Sequence, residues 1–231
     1  MNETKEPVSS TPVETAVEVG AIVLEAVPYV GGVLSSTAAF FLEKRKNERL
    51  NRFLVDLAED LQSIKDQMNQ EFTETEGLQD LTEDILSKAA ETRQEEKLDA
   101  LRAIYLNTVL SGHPNYDETA EIAALVFGWQ SRHVILLRIL SDPRAADEQM
   151  GGVVGEGGGL TTNISQIVRK LLPQWDDDEI ERTWQDLYDQ RIHRTSGTMT
   201  MMTDIGIRQL ENRLTDFGNK VAGFLRNPVQ R

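Results

Sequence analysis

The sequence predicts a mainly α protein, an N-terminal antiparallel helical bundle followed by a winged-helix-like region with one short β-hairpin. Apolar residues recur at spacings of three and four over most of the chain, the period of a helix that buries one face. Only seven of 231 residues are proline, and most fall between the periodic segments, where they break no helix. The last third reads as three helices, a hairpin and a further helix, the winged-helix order.

Residues 1–12 are polar, with Pro7 and Pro12 bracketing Ser9, Ser10 and Thr11, and predict a disordered tail. The bundle is expected over 13–111. Its first helix runs from about Val13 to Val27; Pro28 interrupts it, and Gly31 and Gly32 are weak helix formers. A long second helix starts near Val33. From Leu50 its stripe is Leu50, Phe53, Leu54, Leu57, Leu61, Ile64, Met68 and Phe72. Thr75 and Gly77 predict a turn. Leu78, Leu81, Ile85 and Leu86 open another amphipathic helix, which pauses in the charged run 91–97. Leu98, Leu101, Tyr105 and Val109 carry the rhythm to Leu110, where Gly112, Pro114 and Asn115 stop it.

The second region covers 112–231. Asp117 is a candidate N-cap for a helix through Phe127, and HVILLRIL (133–140) forms the next, ended by Asp142 and Pro143. GGVVGEGGG at 151–159 is a glycine-rich insertion. Asn163 caps a helix over Ile164–Leu172 that Pro173 closes. Asp177–Ile192 is the next, with Ile180, Trp184, Leu187 and Tyr188 on one face. HRTSGTMTMM (193–202) reads as two short strands around Ser196 and Gly197. Thr203 or Asp204 caps a last helix carrying Ile207, Leu210, Leu214, Phe217, Val221 and Phe224.

Composition narrows the function. Hydrophobic residues make up 39% and charged residues 27%, which is globular rather than disordered. The absence of cysteine excludes a disulfide scaffold, thiolate metal ligands and cysteine nucleophiles. The amino terminus is acidic, without the basic start of a secretory signal, so a cytoplasmic protein is expected. Net charge is −14, and residues 161–231 balance ten acids against ten bases, so the excess lies upstream. Such a chain repels a polyphosphate unless one face is locally basic.

No catalytic, cofactor or metal site emerges. The run GGVVGEGGGLTT has no lysine, contains Glu156 and follows a helix rather than a strand, so it is a linker and not a phosphate-cradling loop. His113, His133 and His193 share no metal spacing and have no evident carboxylate partner. Asp176, Asp177, Asp178 and Glu179 sit where a helix macrodipole favours acids and lack the calcium-loop pattern. Trp129, Trp175 and Trp184 are assigned to the core. The same four acids occupy the position where a recognition helix would enter DNA. Arg169, Lys170, Arg191 and Arg194 are the candidate backbone contacts for a nucleic acid, but a winged helix used for protein contact fits the charge better.

Residues 19–42 hold 16 apolar residues, three Gly, three Ser or Thr, one Pro and one Glu. The central Pro28 and the following glycines split this segment into pieces too short to span a bilayer, which takes about 20 apolar residues. A basic run follows at once. The membrane-engaging candidates are Val19, Ile22, Val23, Leu24, Val27, Val30, Val33, Leu34, Phe40, Phe41 and Leu42, with Lys44, Arg45, Lys46, Arg49 and Arg52. The expectation is a soluble bundle whose N-terminal hairpin is unusually apolar; the alternatives are a constitutive membrane segment, and a hairpin stored against the amphipathic helix and released to an anionic membrane on a signal.

The order of apolar helix, PYVGG (28–32), apolar helix, basic run and long amphipathic helix resembles small helical proteins of bacterial phage-defence loci. More distantly it is similar to HeLo-type four-helix domains that disrupt membranes. EEKLDALRAIYLNTV (95–109), HVILLRILSDP (133–143) and TDIGIRQL (203–210) extend the resemblance over most of the chain. It implies a non-enzymatic effector or regulator of membrane integrity or host dormancy. The function expected is that of a non-catalytic interaction protein, with a protein partner or self-association, no cofactor and conditional membrane association. The alternative is a transcriptional or nucleic-acid-associated regulator.

Overall fold

A stripe of Leu and Phe at three- and four-residue spacing requires an apolar partner, and in the computed structural model it has one. Helix α1 (Glu48–Ile64) buries Leu50, Phe53, Leu54, Leu57, Leu61 and Ile64, each at most 4% exposed. The structure describes residues 48–68, 75–111, 116–143, 145, 148, 163–199 and 210–229. The expected tail, the first helix, the Pro28–Gly32 break and the glycine-rich insertion at 151–159 lie outside the described residues. Helix makes up 78% of what is described, in eight α-helices with no sheet among those residues, so the protein is mainly α.

After α1 the chain tightens into a 3₁₀ turn at Lys65–Gln67 and becomes extended at Met68 (ψ 143°). The stripe therefore ends at Ile64; Met68 is off the helix and half-buried, and Phe72 lies outside the described residues. Helix α2 (Glu76–Glu91) packs against α1. The turn expected at Thr75 and Gly77 is a correction: Thr75 is the extended N-cap residue and Gly77 lies inside α2. Helix α3 (Glu95–Leu110) follows after three residues. From Leu98 to Val109 it is buried nearly all round, with Asp99, Arg102 and Asn107 the half-buried exceptions. Such a helix is a core element rather than a surface one.

Several polar groups inside this core have partners. Thr82 Oγ1 donates to the Leu78 carbonyl at 2.6 Å and lies 3.2 Å from the Tyr105 hydroxyl. Burial pushes the Tyr105 phenol well above its ordinary range, against the opposing effect of the Thr82 hydrogen bond. Arg102 reaches α1, with Nη1 2.7 Å from Asp56 Oδ2 and Nε 3.1 Å from Asp60 Oδ2.

The remaining helices are α4 (Tyr116–Gly128), α5 (Ser131–Ser141), α6 (Ile164–Leu171), α7 (Asp177–Asp189) and α8 (Asp216–Leu225). The starts of α6, α7 and α8 follow from side-chain caps. Asn163 Oδ1 accepts from Gln166 N–H at 2.9 Å, Asp176 Oδ1 from Glu179 N–H at 2.7 Å, and Thr215 Oγ1 from Gly218 N–H at 2.8 Å. Each satisfies one of the donors that a helix start leaves unpaired. Asp117 is not the cap of α4; it lies in the first turn.

The chain divides into two compact units, 1–94 with 101–124 and 227–231, and 95–100 with 125–226. In the second, α5 packs against α7, α8 and a 3₁₀ turn at Leu210–Arg213, and α6 packs against α7.

Three expectations for this unit change. Helix α7 stops at Asp189 rather than Ile192, because Arg191 adopts a left-handed backbone (φ 59°) that closes the helix end. No strand is present over 193–199. The antiparallel partner of His193 is Leu214, through Arg194 N–H to Arg213 O at 2.9 Å and Thr215 N–H to Ile192 O at 3.0 Å. Residues 200–209 lie outside the described residues. The last helix is not continuous from 203, since that bridge and the Thr215 cap separate Leu210 and Leu214 from α8. The seam is tight: a Cβ on Gly218 would sit 2.0 Å from the Ile192 carbonyl oxygen.

Leu57 and Leu61 test the core of α1, being 1% and 0% exposed. Leu57→Ala and Leu61→Ala are each expected to destabilise the protein by about 2–5 kcal/mol, transfer and cavity terms together. Urea denaturation followed by circular dichroism checks this. Unchanged midpoints in both variants would contradict the burial of the stripe.

Candidate functional site

Among the described residues of the second unit, titratable and aromatic side chains converge where α4 gives way to α5. Trp129 and Gln130 link the two helices. Lys97 Nζ donates at 2.7 Å to the carbonyls of Phe127 and Trp129, a cation where the last carbonyls of α4 concentrate negative potential. Trp129 is 2% exposed, and its Nε1 donates to Gln190 Oε1 at 2.6 Å. Its ring stacks on His133 with centroids 6.0 Å apart.

His133 stands on the first turn of α5. Its Nδ1 accepts from the Gln130 N–H at 3.0 Å, the reach-back half of a capping box. Its Nε2 lies 3.1 Å from Asp186 Oδ2 on α7. A nitrogen that accepts from a backbone N–H carries no proton, so Nε2–H donates to the carboxylate. Burial lowers the His133 pKa below the ordinary histidine value; Asp186 and, less strongly, the Gln130 backbone oppose the shift in part, and Arg132 adds to it.

His193 makes a second buried arrangement. Its Nε2 lies 3.0 Å from the Trp184 carbonyl, and its ring meets Trp184 at 3.9 Å and Tyr188 at 5.8 Å. Burial lowers this pKa as well, against the Trp184 and Thr195 backbone groups, while Arg213 adds to the lowering.

A neutral imidazole oriented by a carboxylate is half of a general-base apparatus. In His133, however, the nitrogen that would take a proton is occupied by Gln130 and the other is turned to Asp186. The geometry makes it a tie between α5 and α7. Among the described residues no group of three His, Asp or Glu side chains could hold a metal ion.

Of the membrane-engaging candidates, Val19, Ile22, Val23, Leu24, Val27, Val30, Val33, Leu34, Phe40, Phe41, Leu42, Lys44, Arg45 and Lys46 lie outside the described residues. Arg49 is half-buried and Arg52 exposed in the first turns of α1. No described helix is long and apolar enough to cross a membrane. Of the nucleic-acid candidates, Arg169 pairs with Asp177, and Arg194 lies 3.4 Å from Asp216. Lys170 and Arg191 are exposed. The acids at 176–179 act at the start of α7, where Asp176 caps and Asp177 also accepts from Ser165 Oγ at 3.1 Å.

Sequence reasoning missed Lys97, Asp186 and Gln190. His133 and Asp186 are 53 residues apart, and no local spacing signals such a pair. Trp129 and Trp184 are core residues, as expected, whereas Trp175 is only half-buried and outside the core. No protein-family model matches the chain, and no curated protein or solved structure matches it.

Proposed function

We propose that the chain is a non-catalytic interaction protein, a defence-type effector that engages anionic membranes through Val19–Leu42, with the winged-helix-like region as its partner-binding part. The observation that carries this reading is the apolar segment joined directly to Lys44, Arg45, Lys46, Arg49 and Arg52. The apolar face of α1 is already occupied in the core, which leaves residues 19–42 rather than α1 for a bilayer. Cytoplasmic residence with conditional membrane association goes with this reading.

Two features support a winged-helix-like reading of the second unit. Helices α5, α6 and α7 precede the His193–Leu214 bridge, and Ile164 N–H donates to the Thr198 carbonyl at 3.1 Å. The regulator reading is disfavoured, since two of its four basic residues already face carboxylates and acids cap α7.

Vesicles of phosphatidylserine and phosphatidylcholine test the proposal by binding and dye leakage. Each basic residue near an anionic surface contributes about 1 kcal/mol and loses it beyond a Debye length. Binding is therefore expected to weaken with salt and with Lys44→Glu combined with Arg45→Glu. Val23→Asp should abolish insertion, a charge in hydrocarbon costing about 2.5–3.5 kcal/mol on insertion scales. Circular dichroism keeps folding separate from insertion. Folded wild-type protein that ignores these vesicles at neutral and acid pH and after mild heating would end the membrane reading.

A further inference from the structure

Helix α7 is held by two histidines from separate parts of the chain. His133, on α5, ties to Asp186 at 3.1 Å. His193, beyond the end of α7, ties to the Trp184 carbonyl at 3.0 Å. Both rings are almost sealed from water, 5% and 2% exposed. The first tie uses a bonding pattern open only to neutral imidazole. A proton on Nδ1 of His133 would meet the Gln130 N–H head-on, two donors with no acceptor between them, and the start of α5 would lose the reach-back half of its capping box. A proton added to His193 would place a cation on a ring enclosed by Trp184 and Tyr188, where water does not reach it.

We propose that the unit formed by residues 95–100 and 125–226 contains an acid-sensitive latch: α7 is fixed while His133 and His193 are neutral, and acidification loosens it. The charged groups acting on the rings are Asp186 from α7 and Arg132 from α5 on His133, and Arg213 from the 3₁₀ turn on His193. Asp186 favours the proton and the two arginines oppose it, so charge does not cancel the effect of burial. Among the described residues these are the only histidines. The latch stands whether or not residues 19–42 reach a membrane.

The direction with pH follows from the lowered values in the folded state. The unfolded chain, with histidines near their ordinary value of about 6.5, takes up protons first. Stability is complete above that pH and is lost as pH falls below it. Each histidine raises the unfolding constant by up to about tenfold per pH unit in that window, and the pair by up to about a hundredfold. Carboxylates titrate mostly below it.

The three tryptophans, Trp129, Trp175 and Trp184, all fall within 125–226, so their emission reports this unit. The test uses the full chain between pH 7.5 and 5.0, with urea unfolding followed by emission and ring protonation followed by NMR. Gln at the third position of a helix is an ordinary capping-box partner, so His133→Gln keeps the reach-back bond and removes the titration. The expected results are ring midpoints below the ordinary value and a pH slope in His133→Gln cut to about that of one histidine. A folded His133→Gln protein with the wild-type slope would overturn the latch, as would ring midpoints at or above the ordinary value. Should His133→Gln fail to fold, the wild-type ring midpoints decide alone.

Discussion

Arg102→Ala is expected to destabilise the protein by about 3–5 kcal/mol, the cost of removing one partner from a buried ion pair. The Arg102 side chain is 12% exposed and the Asp60 side chain 1%, while Asp56 is 34% exposed. Alanine would leave the Asp60 carboxylate in the core without its cation, and water could reach Asp56 far more easily than Asp60. The loss should therefore be driven by Asp60. Pairing Arg102→Met with Asp60→Leu is expected to recover most of it, since an apolar pair of similar volume is often neutral or better in place of a buried bridge. Urea midpoints by circular dichroism for the two single variants and the double variant give the coupling. An Arg102→Ala protein within about 1 kcal/mol of wild type would show that the pair behaves as a surface bridge.

The parts of this fold that were legible in sequence are those decided by a local period. The Leu50–Ile64 stripe requires a buried face wherever its partner comes from, and Asn163 needs only its own helix to act as a cap. The errors fall where the next contact in space decides. Leu210, Leu214, Phe217 and Val221 continue a helical rhythm, yet the backbone of Arg213 and Thr215 is claimed by Arg194 and Ile192, some 20 residues earlier in the chain. The boundary between the two units falls inside α3, after Ala100, and leaves no mark in the sequence, because a helix buried nearly all round keeps the same apolar character along its length. For the site, residue type was visible and pairing was not. In the sequence His133 has no evident carboxylate partner, and Asp186, 53 residues away, stands at no spacing that marks it as one.

Trp184→Ala is expected to cost about 3–5 kcal/mol, the range for emptying a buried aromatic site. Trp184 is the largest of the fully buried side chains, at 0% exposure. Three contacts meet in it: Nε1 donates to the Thr195 carbonyl at 2.8 Å, the ring meets that of His193 at a tilt of 35° with centroids 3.9 Å apart, and its own carbonyl faces His193 Nε2 at 3.0 Å. Alanine keeps only the last, a backbone contact, and leaves a cavity beside a histidine that also carries the bridge to Leu214. Trp184→Phe separates the terms. It retains much of the ring but strips the donor from the Thr195 carbonyl, a loss of about 1–3 kcal/mol if that oxygen finds no water. The order wild type, Trp184→Phe, Trp184→Ala in denaturation midpoint is the expected result, read by circular dichroism because the substitutions alter the emission. If Trp184→Ala lies within about 1 kcal/mol of wild type, Trp184 does not hold the segment after α7 against that helix, and the latch loses its second anchor.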